Sequence, residues 1–395
     1  MKQRNPEVVC IWSSVEPGGF MHGLEASLRQ AGYVVRLRYQ VSATDYRARR
    51  SRLGRGWLRA RMYLLYPIQI IRGIITGPAR ALHVVTTNTF YAPLLATFAV
   101  SLKRGKVVHL VYDLYPDVLE QAGAIAQQGI TSRLLGWITR LSFRRSAANV
   151  FLGERLREHA LARYGEIPGA AVIPVGAEAL SFPDITSSDK EEEPPTLLYC
   201  GNFGVLHDVE TLLALLQAEG HRAESTMAAT PWLRIAFHSH GHGYRWLQDG
   251  LTEPGKRTPP ERIGDWSISW GGNLAAEPWR EAMSRASMAL VTLRSGAEAV
   301  AIPSKVYSAM AAGQAILAIC APGSDLADLV QRHQCGCVIA PGDVTGLRTA
   351  LKGLVHDPQR LEQMRRNAQT AARNEYDQQV LATRWVEVLQ RVGNH

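Results

Sequence analysis

A short segment in the C-terminal half of the sequence combines residues that could hold a phosphate group. In AIPSKVYSAMAAGQAILAI, residues 301–319, Pro303, Ser304 and Lys305 directly precede an alanine-rich helical pattern. Proline presets the first turn of a helix, where free N–H groups and the helix dipole attract anions. Ser304 adds a hydroxyl donor and Lys305 a positive charge, while Gly313 ends the helix so that an apolar strand can start. The segment predicts a phosphate site, although an ordinary amphipathic helix of an α/β unit has the same pattern.

Other polar groups follow two further predicted strands of the same half. In CGNFGVLHD, Gly201 lets the backbone approach a ligand, Asn202 can bind it, and His207 can donate a hydrogen bond. His207 could equally be a solvent-facing residue at a helix start. In FHSHGHG, Gly241 belongs to a turn at a strand end. A metal site is not expected there, because no carboxylate or cysteine stands beside the alternating histidines His238, His240 and His242.

In the N-terminal half, glycines and carboxylates follow predicted strands. Gly18 and Gly19 form a loop after the first strand, and VYDLYPD closes a later strand with Asp113 and Asp117. A carboxylate at the end of a parallel strand could orient or deprotonate a hydroxyl group. Asp113 is therefore a candidate base, whereas Asp117 is predicted to cap the helix that follows it.

A basic segment without any acidic residue extends between Tyr46 and Tyr112, while the whole chain has a net charge of +9. The arginines in its first part stand next to apolar and aromatic residues, as expected for an interface with anionic lipid headgroups. A groove that binds nucleic acid needs similar residues, but this alternative is disfavoured. The purely structural alternative is a core helix behind a solvated loop. The residues predicted to contact a membrane are Arg49, Arg50, Arg52, Arg55, Trp57, Leu64, Leu65 and Ile68.

The elements that must position these residues alternate between short apolar strands and helices, which predicts parallel sheets covered on both faces. The alternation stops in the polar, acidic segment 181–195 and then starts again. We therefore predict an α/β protein of two Rossmann-like parallel-sheet domains that face a central cleft. The predicted parts are an N-terminal domain over 1–180, a linker over 181–195, a second domain over 196–375, and a C-terminal helix over 376–395 that packs back on the first domain.

Cysteine usage and hydropathy indicate the compartment. The five cysteines are odd in number and lie mostly in strand-like runs, as expected of reduced thiols. The longest apolar run, residues 91–102, is shorter than the roughly 20 residues that a membrane-spanning helix needs. No signal peptide is visible either. The protein is therefore expected either to be cytosolic or to lie on a membrane without crossing it.

The sequence resembles a known family, the GT-B glycosyltransferases of the family 4 type, and within it the branch that assembles bacterial surface polysaccharides. The resemblance covers nearly the whole chain in the expected order, and the segment around Pro303 is its most specific part. The four segments that carry it are EPGGFMHGLEASLRQAGY at 16–33, LLYCGNFGVLHDVETLLALL at 197–216, SGAEAVAIPSKVYSAMAAGQAIL at 295–317 and CVIAPGDVTGLRTAL at 337–351.

The resemblance implies roles for residues around the opening segment. Relatives have two glutamates eight positions apart, of which the first touches the donor sugar and the second the ribose. Aligned on Pro303, Glu298 stands at the first position. Counted five residues back from Gly313, the second position is Ser308, so a weaker ribose contact is expected. Many relatives also hold the diphosphate with Arg and Lys where this chain has His207. The full predicted donor site is Gly18, Gly19, Gly201, Asn202, His207, Gly241, Ser304, Lys305, Tyr307 and Ser308, with Glu298 and Asp113 as catalytic residues.

The resemblance thus implies a glycosyltransferase that moves a sugar from a nucleotide-diphosphate sugar, expected to be uridine-linked, to a polyprenyl-diphosphate-linked saccharide. Retention at the anomeric carbon, with no cofactor and no obligatory metal, is also implied. The expected partners are the nucleotide sugar, the lipid-linked acceptor and an anionic membrane surface, without nucleic acid. Two alternatives stay open, a GT-B-fold UDP-sugar epimerase and a non-catalytic protein that binds nucleotide sugar or lipid.

Overall fold

The computed structural model describes residues 7–47, 51–185, 194–222, 231–301 and 303–394. The chain forms two compact units, Met1–Val175 with Gln378–His395, and Gly176–Asp377. We call them the N-terminal unit and the C-terminal unit. Each is an α/β unit built on one mostly parallel sheet, the fold class that the alternation of strands and helices predicts.

The N-terminal unit contains a six-stranded sheet in which all strand pairs are parallel, in the order β2-β1-β3-β4-β5-β6. Most of its strands are apolar runs covered on both faces, whereas the edge strand β2 contains Arg36, Arg38 and Gln40 and is mostly exposed or half-buried. They are β1 Val8–Val15, β2 Val34–Val41, β3 Leu82–Thr86, β4 Lys106–Val111, β5 Ala148–Phe151 and β6 Ala170–Val172. The helices between them are α1 Gly19–Gln30, α2 Ala43–Arg47, α3 Arg52–Ala60, α4 Tyr66–Thr76, α5 Ala92–Ser101, α6 Asp117–Gln121, α7 Ile130–Arg145 and α8 Glu154–Tyr164.

Residues 52–76 of the basic segment form a nearly continuous helical rod, in which a π-helical turn, Arg61–Leu65, joins α3 to α4. Helix α4 is fixed to the sheet by buried Tyr66, Ile70 and Ile74, which pack in a core cluster with Trp12 of β1. Gly73 allows this close approach, since a Cβ atom there would overlap the Trp12 ring. One face of α4 therefore packs in the core, as the alternative of a core helix requires. The opposite face is available for other contacts.

The C-terminal unit contains a seven-stranded sheet in the order β13-β12-β11-β7-β8-β10-β9. Only the β9–β10 pair is antiparallel, and β9 had no counterpart among the predicted strands. The strands are β7 Thr196–Asn202, β8 Leu233–His240, β9 Arg262–Ile263, β10 Trp266–Gly271, β11 Met288–Thr292, β12 Ala315–Ile319 and β13 Gly336–Ile339. Its helices are α9 Glu210–Arg222, α10 His242–Leu251, α11 Ala276–Arg285, α12 Lys305–Ala311, α13 Asp325–Arg332, α14 Val344–His356 and α15 Pro358–Glu375.

The end of the chain departs from the prediction in one place. The sequence pattern predicts one long helical stretch over 343–375, but two helices, α14 and α15, are found there because the Asp357-Pro358 pair interrupts it. Proline disfavours a helical conformation in the residue before it, and the Asp357 carboxylate accepts a hydrogen bond from the Arg360 amide at 2.9 Å. A last helix, α16 Gln378–Asn394, packs on α1 within the N-terminal unit, where the Lys106 ammonium donates to the Val392 carbonyl at 2.7 Å. Among the described residues, no helix is long and apolar enough to cross a bilayer.

Candidate functional site

The Pro-Ser-Lys turn lies at the carboxyl edge of the C-terminal sheet, between β11 and the first turn of α12. Ser304 occupies the N-cap position with an exposed side chain that makes no capping hydrogen bond. Gly313 has a φ of 69°, a conformation that favours glycine, and it ends α12 two residues before β12 begins. The predicted turn, short helix and immediate strand are therefore present as the residue types require.

Lys305 is the central charge of this edge. Its Nζ donates to the Tyr199 hydroxyl at 2.5 Å and to the Asn202 carbonyl at 3.2 Å, and it lies 4.0 Å above the centre of the Tyr199 ring. Within the described part of the chain, no carboxylate forms an ion pair with Lys305. Desolvation lowers the pKa of this ammonium group to about 7. A desolvated cation surrounded by neutral oxygen atoms is suited to accept an anionic ligand.

Two loops, which follow the neighbouring strands β7 and β8, are joined by backbone hydrogen bonds beside Lys305. The Phe203 amide donates to the His240 carbonyl at 2.8 Å, and the Gly243 amide donates to the Phe203 carbonyl at 2.9 Å. Gly241 has a φ of 107°, and a Cβ atom there would overlap Asn202 and the Phe203 carbonyl. The structure thus brings Asn202 and Gly241, two predicted donor residues, into contact.

Gly201 immediately precedes this pair of loops. Its φ of 117° requires glycine, and its α-carbon faces open space because no atom lies within 4 Å of a Cβ built there. Backbone atoms at this point can therefore approach a ligand closely, as the sequence predicts.

His207 is not a cation in this site. Its Nδ1 must carry the ring proton, because it donates to the Thr292 carbonyl at 2.7 Å. Desolvation and the nearby Lys305 charge lower the pKa of the imidazole to about 4. The ring is therefore neutral near pH 7, and its remaining nitrogen, Nε2, is a hydrogen-bond acceptor. The suggestion that His207 donates to a phosphate disagrees with this geometry, because the only ring N–H is already used by a backbone carbonyl.

Two further predicted residues lie around α12. Glu298 follows β11 in a half-buried position, and its Oε2 is buried with no hydrogen-bond partner among the described residues. Ser308 lies one turn after Lys305, and both line a cavity of about 80 Å³ together with Cys200 and Trp279. A buried carboxylate oxygen without a partner is costly, so Glu298 is poised to accept a hydrogen bond from a ligand.

Tyr307 is the donor-site candidate that the structure places elsewhere. Its side chain is buried, and its ring packs 5.1 Å from the ring of Tyr376. A residue two positions after Lys305 points to a different side of α12, because successive residues of an α-helix are about 100° apart. Tyr307 therefore contributes to the core of the C-terminal unit.

The remaining site candidates belong to the N-terminal unit. Gly18 is the N-cap of α1 with open space around its α-carbon, and Gly19 is the first residue of that helix. Asp113 follows β4, where its backbone amide donates to the Thr87 hydroxyl at 3.2 Å. Desolvation raises the pKa of the Asp113 carboxyl group. A carboxylate with a raised pKa is a better proton acceptor, as a base requires.

The prediction that Asp117 caps a helix is wrong. Pro116 is the N-cap of α6, and the fully buried Asp117 carboxylate instead turns toward α8. It accepts from His159 Nε2 at 2.6 Å, from Arg163 Nη1 at 2.7 Å and from the Tyr164 hydroxyl at 2.7 Å. A buried carboxylate needs a charged partner, which Arg163 supplies, so Asp117 serves to tie α6 to α8.

The predicted membrane residues are exposed wherever their side chains are described. The exposed fraction is 58% for Trp57, 63% for Leu64 and 60% for Ile68, and Leu65 and Arg55 are also exposed. Arg52 begins α3. Arg49 and Arg50 lie outside the described residues.

Sequence reasoning missed a second apolar surface, which we call the α5–α7 patch. It consists of Phe98, Leu102, Ile130, Leu134 and Trp137, all exposed. Trp137 is 61% exposed, and α7 carries four arginines without any acidic residue. Helix α5 packs against both α4 and α7, so the patch and the basic segment belong to one layer of helices. The three-to-four-residue spacing of Ile130, Leu134 and Trp137 was a visible signal, but a buried helix face has the same spacing.

Comparisons with known proteins bear on this arrangement. No protein-family model matches the chain. Among curated proteins, the probable glycosyltransferase WbjE of Pseudomonas aeruginosa is 24% identical over 286 residues, which are 69% of this chain. The match spans 66% of that relative's length.

Solved structures resemble the chain over almost its whole length. HepE of Anabaena in complex with UDP and glucose gives a TM-score of 0.67 at 14% identity, covering 98% of this chain and 100% of that one. WaaG, a glycosyltransferase involved in lipopolysaccharide biosynthesis, gives 0.63 at 14% identity, covering 96% and 99%. The chain has the GT-B fold. At these identities the likeness establishes the fold, and the chemistry rests on the residues of the site.

Proposed function

We propose that this chain is a glycosyltransferase whose C-terminal unit binds a UDP-sugar and whose N-terminal unit binds a lipid-linked saccharide as acceptor. The observation that carries the proposal is Lys305, a desolvated cation without a described carboxylate partner. Two loops that require glycine adjoin it. The complexes of HepE with UDP and with UDP-glucose support a uridine diphosphate donor for this fold.

The proposed reaction breaks the bond between the anomeric carbon and the diphosphate and forms a bond to an acceptor hydroxyl. Negative charge then develops on the departing diphosphate, and Lys305 and the Ser304 hydroxyl would stabilise it. The acceptor proton goes to the diphosphate in the retaining course that the family resemblance implies, with Asp113 orienting the hydroxyl. This course needs no obligatory metal, since Lys305 supplies positive charge beside the leaving group.

The proposed acceptor is a polyprenyl-diphosphate-linked saccharide used in surface-polysaccharide synthesis. The likeness to WaaG, a glycosyltransferase involved in lipopolysaccharide biosynthesis, supports this assignment. The exposed apolar and cationic residues of α3, α4, α5 and α7 support peripheral docking to the cytoplasmic face of an anionic inner membrane. A lipid-linked substrate would be met at that surface.

A nucleotide screen tests the donor assignment. UDP should raise the melting temperature more than ADP, GDP or CDP at equal concentration, because a ligand that binds only the folded state stabilises it. At a hundredfold excess over Kd the stabilisation is about 2.7 kcal/mol. Absence of stabilisation by any nucleoside diphosphate would refute the proposed donor site.

Glu298 provides a separate prediction about the sugar. We expect Glu298→Gln to lower turnover of the UDP-sugar by on the order of tenfold or more, because the unpartnered oxygen would contact a sugar hydroxyl. Affinity for UDP alone should be nearly unchanged, because UDP lacks the sugar. The measurement is kcat with acceptor beside Kd for UDP by calorimetry. An equal loss of UDP affinity would place Glu298 at the nucleotide instead.

A further inference from the structure

Five aromatic side chains gather at the carboxyl edge of the N-terminal sheet, in a group that the sequence analysis did not single out. The Phe90 ring lies 4.9 Å from the Tyr91 ring and 5.8 Å from the Tyr115 ring. Tyr46 and Tyr63 lie close enough to Tyr115 to affect its ionisation electrostatically. None of the five is fully buried. An aromatic group that packed only as core would not keep all its members in contact with solvent.

Asp113 belongs to the same group. Its charge raises the pKa of the Tyr115 hydroxyl, as do the nearby Tyr63 and Tyr46 hydroxyls, after a larger contribution from desolvation. Asp113 and Tyr115 both follow β4, so a carboxylate and a phenol lie at this edge of the sheet. The arrangement combines aromatic faces with hydrogen-bonding groups of both kinds, donors on the phenols and acceptors on the carboxylate.

The position of Tyr63 is fixed by the π-helical turn. The Thr89 hydroxyl donates to the Met62 carbonyl at 3.0 Å, and the Tyr91 hydroxyl donates to the Tyr63 carbonyl. Arg61 pairs with Asp45 at 3.0 Å and donates to the Gln40 carbonyl at 2.6 Å. Turns of this kind are rare and occur frequently at functional sites. Here, side chains from the loop after β3 satisfy the turn's carbonyl groups and hold Tyr63 beside Tyr91.

The same turn carries residues of two kinds. Tyr63 belongs to the aromatic group, whereas the next two residues, Leu64 and Leu65, are exposed and belong to the proposed membrane surface. A bound molecule that contacts both would need a polar, hydroxyl-bearing ring joined to an apolar chain. An anionic group is disfavoured next to Asp113, so the ring that fits is a neutral one.

We propose that Tyr63, Phe90, Tyr91 and Tyr115 form a platform for a neutral saccharide ring, with Asp113 hydrogen-bonded to one of its hydroxyl groups. The aromatic faces would cover the apolar C–H face of the sugar, and the phenols and the carboxylate would hold its hydroxyls. The inference rests on the proposed function, in which the N-terminal unit binds a lipid-linked saccharide. It adds the residues that hold the saccharide and the side of the π-turn on which the lipid lies.

The test uses methyl glycosides of glucose, galactose, mannose, rhamnose and N-acetylglucosamine, which lack a lipid and therefore report on the ring alone. Saturation-transfer NMR on the full chain should detect binding of at least one of them. Tyr63→Ala should weaken that binding on the order of fivefold, because a stacking face is lost. Tyr39→Ala is the matched control, since Tyr39 and Tyr63 are both 39% exposed and Tyr39 lies on β2.

A second variant keeps the test independent of folding. Tyr115→Phe preserves the ring and removes only the hydroxyl, so it should weaken glycoside binding less than Tyr63→Ala does. The melting temperature should stay within about 1–2 °C of the parent's, as expected for the loss of a half-buried hydroxyl. Binding of no glycoside, or equal binding by Tyr63→Ala and the parent, would overturn the platform. Stabilisation by UDP, measured on the same samples, separates the outcomes. A response to UDP without glycoside binding overturns this inference alone, whereas loss of both also overturns the proposed donor function.

Discussion

Replacing Lys305 by methionine is expected to weaken UDP binding by about tenfold to a hundredfold. The change removes a charge-assisted contact to the diphosphate, which contributes on the order of 1.5–3 kcal/mol. Methionine keeps most of the side-chain volume and removes a desolvated ammonium group, so the variant without ligand should be at least as stable as the parent. Calorimetry gives the Kd for UDP, and a thermal scan gives the stability.

Lys256→Met is the matched control for this variant. Lys256 belongs to the same unit, but its ammonium pairs with Glu253 at 2.8 Å and its side chain is 64% exposed. Its substitution should leave UDP affinity unchanged. If Lys305→Met bound UDP as tightly as the parent, the assignment of the Pro-Ser-Lys turn to the diphosphate would be wrong.

The pH dependence of UDP affinity identifies the same lysine in the unmodified protein. Because desolvation lowers the pKa of Lys305 to about 7, the ammonium form is lost from the empty site as the pH rises through 7. UDP requires the charged form, so its affinity should fall as the pH rises from 7 to 9. The slope of this fall approaches a limit of about tenfold per pH unit. The diphosphate is already ionised over this range, since its second pKa is about 6. A Lys305→Met variant should give a flat profile, and a flat profile in the parent would contradict the role of Lys305.

The parts of the site that the sequence predicts well depend on local chain properties. The sequence TLLYCGN predicts a strand over 196–202, and β7 spans Thr196–Asn202, because its apolar run begins after a proline and ends at a glycine. The end of α12 at Gly313 is confirmed by a positive φ that favours glycine. Proline and glycine act on the backbone of their own segment, so the sequence alone suffices.

The parts that it does not predict depend on residues far along the chain. The tautomer of His207 follows from the Thr292 carbonyl, 85 positions away, and its neutral state follows from burial and the Lys305 charge. The orientation of Asp117 follows from Arg163 on another helix, 46 positions away. The aromatic group around Asp113 combines α2, the π-turn and the loops after β3 and β4, four segments whose proximity is a product of the sheet order. The pattern of a helix also does not reveal which apolar face is exposed, and this is why the α5–α7 patch was missed.

Membrane binding should be the most salt-sensitive property of this protein. The purified chain should float with anionic liposomes far better than with neutral ones, because each cation near an anionic surface contributes on the order of 1 kcal/mol. Replacing Arg49, Arg50, Arg52 and Arg55 by glutamine should therefore reduce the partition coefficient by up to about a thousandfold at low salt. UDP affinity should not change, because the donor site belongs to the C-terminal unit. Equal flotation on both kinds of liposome, or equal flotation by the variant and the parent, would contradict the membrane role. The segment would then be a core helix behind a solvated loop.

The apolar part of the same surface has a different signature. Trp137→Ser and Leu134→Ser in the α5–α7 patch should lower binding at high salt, where electrostatic attraction is screened and apolar burial persists. Trp246→Ser is the matched control, since Trp246 is 40% exposed on α10 of the C-terminal unit. If the layer of α3, α4, α5 and α7 is the docking face, the arginine variant loses its preference for anionic lipid and the Trp137→Ser, Leu134→Ser variant loses its salt-resistant fraction. If the Trp137→Ser, Leu134→Ser variant bound liposomes at high salt as strongly as Trp246→Ser, the patch would take no part in membrane contact. The contact would then be confined to the basic segment.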